Sequence, residues 1–599
     1  MTKHYTWKEY RSMLFVFVSF FIFHAIIAVQ MRMLHIRSDE MGVLASAAFL
    51  AGENWSGIVK NFPYYGYGQA LFYVPVFLIT KNPDLRYIAM GIINSLILSM
   101  IPVIIYVIAI KYIGMERKDA KLTAFCVGFF PSYTSFTKWI WNEIMLSVLP
   151  VLLLFLILLL LENKENTTRK KLFCFFLSFC SVYGFAVHGR GLGIIAAVLL
   201  TTIYINCYLK ETIIDYLAFF SGYLWGGVLY IWLKKYFTNN LWLLQEGKTL
   251  NNTTANIMPS LKILLNPDYI TGNLRAIIGQ FYTACMSTHG IILLFFIVML
   301  FSYIRKKSIE EYDKKEHVVY IFSLLSFMCA YAISVVAVSP SNLDPNSRGD
   351  YPVYIRYFSH VLGLVLFSIL VMLKKGRVKL IHFILSLFGI ILLSIGAVWK
   401  IQPFINSRKN IANIPLMNIL PFIGPNPPHC IKHVNFVSLS FVTFIVFSLI
   451  CLLLYFNRKT YIPILLISVF IFVYYENVVN VILPNNRIDY EKIAVPKQIM
   501  AQIEWKSYYP KCYYYNPNQK KPWSDSMLQF ALPQFPIENI TMEQIIQSEM
   551  DHNSIIISTE DLALETFDNS FYKVENELLD TGIDFIWIYG EDLKLFVES

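Results

Sequence analysis

About thirteen stretches of this chain are apolar for roughly 17 to 25 residues at a time, the length needed to cross a bilayer as a helix. They lie near 12–32, 85–110, 119–136, 144–161, 172–187, 191–209, 213–233, 289–304, 317–338, 357–373, 379–399, 435–456 and 461–483. No other feature constrains the fold as much. Hydrophobic residues make up 56% of the 599, charged residues only 15%, and mean hydropathy is +0.52. A water-soluble domain could not hide so much apolar surface. The run Met13 to Met31 is long for a signal peptide and has no small-residue cleavage site, so it reads as a retained first helix. The expected fold class is a polytopic α-helical membrane protein.

The net charge of +10 divides unevenly. Residues 485–599 hold 19 acids and 9 bases, a net of −10, which leaves +20 for the rest. Such asymmetry marks two environments rather than a nucleic-acid partner. We expect a transmembrane module over 1–484 and a soluble domain over 485–599. In the latter, Cys512–Asn516, Leu528–Leu532, Ser554–Ser558 and Phe585–Tyr589 read as strands, and Pro496–Ile503 and Thr541–Glu549 as helices. This makes a small α/β unit. The nine cysteines form no CxxC pair, so neither a disulfide framework nor a zinc site is expected.

Orientation follows from the short basic loops. With the N-terminus in the cytoplasm, Lys111 to Lys121, Lys164 to Lys171, Arg305 to Lys307, Lys374 to Lys379 and Arg458–Lys459 all fall inside. The longer loops, about 33–84, 234–288, 339–356 and 400–434, and the acidic tail then lie outside. Within the first of these, breakers such as Gly52, Asn54, Pro63 and Gly66 leave two helices near 39–51 and 66–80, too short to span and expected at the interface. The basic residues of loop 234–288, including Lys234 and Arg275, would meet anionic lipid headgroups there, or a phosphate-linked substrate.

The outer loops carry the residues suited to chemistry. Asp39 and Glu40 follow the first span directly, flanked by His35 and Arg37. An acid at the lipid–water boundary beside cations is a candidate general base. The same residues would equally serve as a helix start. Lys138-Trp-Ile-Trp-Asn-Glu143 faces the same side. His188-Gly-Arg190-Gly pairs a forked cation with glycines that permit close approach, an arrangement suited to phosphate or to a tight turn. Arg356-Tyr357 precedes the tenth span, as a further cationic point or an interfacial anchor.

One span followed by an external Asp39-Glu40 pair opening an interfacial helix resembles the GT-C membrane glycosyltransferases. The family-39-like group, with protein O-mannosyltransferases and the lipid A aminoarabinose transferase, is the most similar. The resemblance covers about residues 7–480. It implies a GT-C fold and a sugar donor on polyprenyl phosphate. The acceptor would be a hydroxyl of a glycan, lipid or protein. It places catalysis on Asp39, with Glu40 beside it, and on Glu143 as the second external acid. Arg37, Lys138, His188, Arg190, Arg356 and Tyr357 become candidates for holding the donor phosphate. No metal is demanded, although some GT-C enzymes use a divalent ion. The chain departs from the group where a Pro-Pro-Leu-x-Tyr-Trp-like stretch is usual: it reads Tyr64-Tyr-Gly-Tyr-Gly-Gln-Ala-Leu-Phe-Tyr73. An envelope polysaccharide polymerase or ligase would be expected to use cations in one large loop. A transporter or flippase would be expected to place ionisable groups at the midplane and to show repeated halves.

Overall fold

The computed structural model describes residues 6–35, 37–60, 62–135, 138–243, 262, 266–304, 313–339, 348–408, 435–502, 510–516, 525–547, 550–551, 553–558, 560–564, 570–574 and 585–590. Among these, ten helices are long and apolar enough to cross a membrane: Trp7–Ala28 (α1), Pro83–Tyr112, Glu143–Glu162, Thr167–Val187, Gly189–Cys207, Tyr216–Asn240, Lys314–Val338, Leu380–Ser407, Phe436–Tyr455 and Tyr461–Glu491. Pro267–Ser287 and Ile291–Tyr303 form a pair bent by 108°, and counting it as one span gives eleven. The molecule is a polytopic helical bundle. Polar residues start its helices. Thr6 and Glu9 make a reciprocal capping box on α1, and Asn82, Asn166, Asp215 and Asn435 each accept first-turn N–H groups.

Three of the thirteen expected spans are shorter than predicted; one of them, 289–304, is the helix Ile291–Ile304 of the bent pair. The stretch 119–136 forms Arg117–Gly128 and then Pro131–Ser135, with Pro131 starting a new turn rather than continuing the first. The stretch 357–373 turns at Ser359–Val361 and continues as Leu362–Lys374. Every residue from Leu362 to Leu373 is buried. A helix enclosed by protein on all sides need not match the thickness of the lipid.

The segment between α1 and the second long helix forms Arg37–Leu50 (α2), a turn at Ser56–Val59 and the short apolar helix Ala70–Ile79. Short helices thus stand close to the two places, 39–51 and 66–80, where the sequence led us to expect them. At the other end of the chain, the helix from Tyr461 runs through residue 484 to Gln502. Beyond it lies a five-stranded sheet: Cys512–Tyr515 (β1), Ile537–Asn539 (β2), Ser554–Ser558 (β3), Phe571–Lys573 (β4) and Phe585–Tyr589 (β5). Its order is β2-β1-β3-β5-β4, with β1 parallel to both neighbours and β5 antiparallel to both. Leu528–Leu532, expected as a strand, lies largely in the helix Asp525–Ala531. Its apolar run is too short for periodicity to separate a buried strand from a buried helix turn. Tyr513 to Tyr515 are buried in β1.

The C-terminal unit rests against the segment that carries Asp39: the helix Asp525–Ala531 packs on α2, and β2 on the turn at Ser56–Val59. Phe530 packs edge-on to Tyr87 at 5.9 Å. Asn486 bridges the chain after α1, accepting from the Arg32 N–H at 2.9 Å and donating to the Met33 carbonyl at 2.5 Å. Lys497 pairs with Asp84 at 2.8 Å.

Candidate active site

Four separate loops converge at one end of the bundle. Helix α2 starts at Arg37, so Asp39 and Glu40 fall in its first turn, where an acid suits the helix dipole. Neighbouring helical residues point about 100° apart, and these two acids meet different surroundings. Glu40 turns inward and is fully buried. It accepts the His35 N–H at 2.7 Å, the Tyr87 hydroxyl at 2.7 Å and the Ile140 N–H at 2.9 Å. Those bonds tie α2 to Pro83–Val107 and to the loop before Glu143. Asp39 is less enclosed, its side chain 12% exposed, and accepts from Arg356 Nη1 at 2.5 Å.

Glu143 opens the helix Glu143–Glu162 and is buried. One of its oxygens, Oε1, accepts from both arginines: Arg356 Nε at 2.5 Å and Arg190 Nη2 at 2.6 Å. Two guanidiniums therefore share one carboxylate. Arg190 is otherwise fully engaged, donating through Nη1 to the Arg356 carbonyl at 3.1 Å and lying over the Tyr357 ring at 5.1 Å. Arg356 lies over Trp141 at 3.9 Å. Burial opposes the Arg356 charge, but Glu143 and Asp39 more than offset this and hold its pKa well above the ordinary value.

His188 orients the pair. Its Nδ1 accepts the Arg190 backbone N–H at 3.1 Å and Nε at 3.4 Å. Burial, and then the Arg190 charge, hold its pKa well below 6.5, so the ring stays neutral and keeps that acceptor. Tyr65 stacks on His188 at 5.5 Å. The backbone places it there. Gly68 donates to the Ala186 carbonyl at 2.9 Å, and Gly66, at φ +124°, sits so close that a Cβ would meet the Ala186 oxygen at 2.4 Å. Only glycine permits that approach. Burial and then Asp39 push the Tyr65 phenol well above its usual pKa, which leaves it protonated beside the carboxylate.

The structure thus brings Asp39, Glu143, His188, Arg190, Arg356 and Tyr357 together. Glu40 lies behind them, within the packing. Lys138 is not joined to the arginines. Its buried ammonium faces the rings of Tyr474 at 5.6 Å and Phe23 at 6.0 Å, with no hydrogen-bond partner among the described residues. The Arg37 side chain lies outside the described residues. Tyr65 and Trp141, neither of them among the residues expected from sequence, also join the site. The cue for Tyr65 was the pair of glycines between tyrosines, which marks a close backbone approach. Among the described residues, no group of three His, Cys, Asp or Glu side chains is placed to hold a metal ion.

No protein-family profile matches this chain, and no curated protein matches it in sequence. The comparison of folds does find neighbours: a polytopic helical bundle of this kind, with a small mixed sheet at its C-terminal end, is shared with solved membrane proteins. In particular the chain is similar to two crystal structures of ArnT from Cupriavidus metallidurans. One is bound to undecaprenyl phosphate (TM-score 0.50), and the other is in the apo state (TM-score 0.51). In each, 97% of this chain aligns with 98% of the ArnT chain at 11% identity.

Proposed function

We propose that this chain is a membrane glycosyltransferase. It moves a sugar from a polyprenyl-phosphate donor to an acceptor hydroxyl at the outer face of the membrane. The observation that carries this reading is the graded exposure across the cluster. Asp39 and Arg356 are 12% and 10% exposed, while Glu143 and Arg190 behind them are 1% exposed. A base and a guanidinium thus stand side by side where a headgroup can reach both. The similar ArnT structure with undecaprenyl phosphate supports a polyprenyl phosphate as the carrier.

Asp39 accepts the acceptor's hydroxyl proton as that oxygen forms a bond to the anomeric carbon. The bond from that carbon to the phosphate oxygen breaks, and its electron pair leaves with the lipid phosphate. A single displacement inverts the anomeric centre. Charge grows on the leaving phosphate, where Arg356, backed by Arg190, stabilises it. Glu143 is the positioning residue that holds both guanidiniums, and Glu40 anchors the helix bearing Asp39. With the basic loops in the cytoplasm, this end and residues 485–599 are extracytoplasmic. The C-terminal unit, resting on the segment that carries Asp39, is then placed to help present the acceptor.

The test uses purified protein in liposomes and a panel of polyprenyl-phosphate sugars, with release of the lipid phosphate as the readout. Asp39→Asn should turn over about 10²- to 10⁴-fold more slowly, the usual range for losing a positioned base, with unchanged helix content. Turnover by Asp39→Asn at the wild-type rate would contradict the assignment.

A further inference from the structure

Within the cluster, both arginines and one oxygen each of Glu143 and Asp39 are engaged with one another, while Glu143 Oε2 is left without a hydrogen-bond partner among the described residues. Arg190 uses Nη2 on Glu143, Nη1 on the Arg356 carbonyl and Nε on His188. Arg356 uses Nε on Glu143, and its outer edge, Nη1, on Asp39, with the Tyr354 hydroxyl at 3.5 Å. Two arginines face two carboxylates, so the formal charges cancel. An arriving phosphate meets no spare cation. Asp39 Oδ2 is itself held by the Arg356 guanidinium.

The arrangement of Arg356 points to how this is relieved. Glu143 grips it at Nε and Trp141 lies against its face at 3.9 Å, so the inner edge is fixed. The outer edge is held only by Asp39 and the long contact to Tyr354, and both it and Asp39 reach the surface. We infer that the Asp39–Arg356 ion pair is a latch that the donor phosphate opens. The phosphate takes the outer edge of Arg356, which frees the Asp39 oxygen to receive the acceptor's proton. This rests on the glycosyltransferase reading and adds an order to it: the base is released only when the donor is seated. A hydroxyl or water reaching the site without a donor finds Asp39 already bonded. An anion close to a bonded pair competes for the cation by charge and geometry, and bidentate guanidinium–phosphate contacts are strong competitors.

The latch makes a prediction opposite to that for an ordinary binding residue. Removing the Asp39 charge should improve phosphate binding, because Arg356 no longer has to be pulled from a partner. The experiment measures undecaprenyl phosphate binding to the full chain in detergent for wild type, Asp39→Asn, Arg356→Gln and the double variant, with thermal unfolding to check folding. Asp39→Asn should bind about tenfold more tightly, in the range of single charge-pair effects at desolvated sites. Simple repulsion between Asp39 and phosphate would also tighten binding, and the double variant separates the two causes. If the latch operates, the gain disappears in the Arg356→Gln background. If the gain persists there, or if Asp39→Asn binds no better than wild type, the latch is overturned while the glycosyltransferase reading stands. If none of the proteins binds undecaprenyl phosphate, the donor reading itself fails and the latch with it.

Discussion

At the end of the bundle opposite Asp39, lysines and carboxylates meet in half-open pairs. Lys111 reaches Glu162 at 2.6 Å, Glu211 takes Lys164 at 2.7 Å and Lys314 at 2.5 Å, and Lys375 reaches Glu316 at 2.9 Å. The Lys164 and Lys314 side chains are 38% and 59% exposed. In the cluster around Asp39 the paired cations are arginines, and the Arg190–Glu143 pair is 1% exposed on both sides. Flexible lysines at a wet rim can hold an orientation through charge alone, and such pairs add little to stability. Buried guanidiniums sharing one carboxylate are tightly fixed in geometry and lose much if a partner is removed. The contrast separates exposed, exchangeable ion pairs from buried pairs fixed in one geometry.

Substitutions should break that contrast in graded fashion. The largest effect belongs to Asp39→Asn, with turnover falling about 10²- to 10⁴-fold and little change in thermal midpoint, since the lost partner is one of the more exposed members of the cluster. Glu143→Gln should do both kinds of harm. It strands two buried guanidiniums, so we expect a loss of about 3–5 kcal/mol in stability, read by thermal or denaturant unfolding in detergent, together with loss of transfer.

Lys138→Met should act in the opposite direction. Burial holds the Lys138 amine down to about 7 from its ordinary 10.5, so between those values the unfolded chain binds the proton that the folded chain has lost. Wild-type stability should therefore rise with pH across that window. The variant should be more stable than wild type at pH 7, and the gain should fade toward pH 10.5. Unfolding midpoints of both proteins at several pH values check this, and a gain that does not depend on pH would contradict it. The smallest effect is expected at the opposite rim. Glu211→Gln removes the pairs to Lys164 and Lys314 but should change stability by no more than about 1 kcal/mol and leave turnover intact.

Much of this was legible in the sequence because a bilayer converts hydropathy into position. Counting spans put Asp39, Glu143, Arg190 and Arg356 at one end although they are far apart in the chain, and the structure gathers them into one cluster. What hydropathy cannot show is which way a side chain turns within a helical turn. Asp39 and Glu40 look interchangeable as adjacent acids, yet one meets Arg356 and the other meets Tyr87 and the Ile140 N–H. Lys138 and Glu143 share a short loop, yet the lysine points toward Phe23 of α1. Tyr65 resembled its interfacial neighbours because the approach of Gly66 and Gly68 to Ala186 and Val187 joins segments more than a hundred residues apart. The helix at Asp525–Ala531 was hidden for another reason: seven residues are too few to display a period.

The most direct test of the central claim is a structure of this protein with undecaprenyl phosphate bound. The account predicts the phosphate within hydrogen-bonding distance of the outer edge of Arg356, Arg190 and Glu143 still joined behind it, and Asp39 released from Arg356. A phosphate seated elsewhere, with the Asp39–Arg356 pair intact, would contradict it.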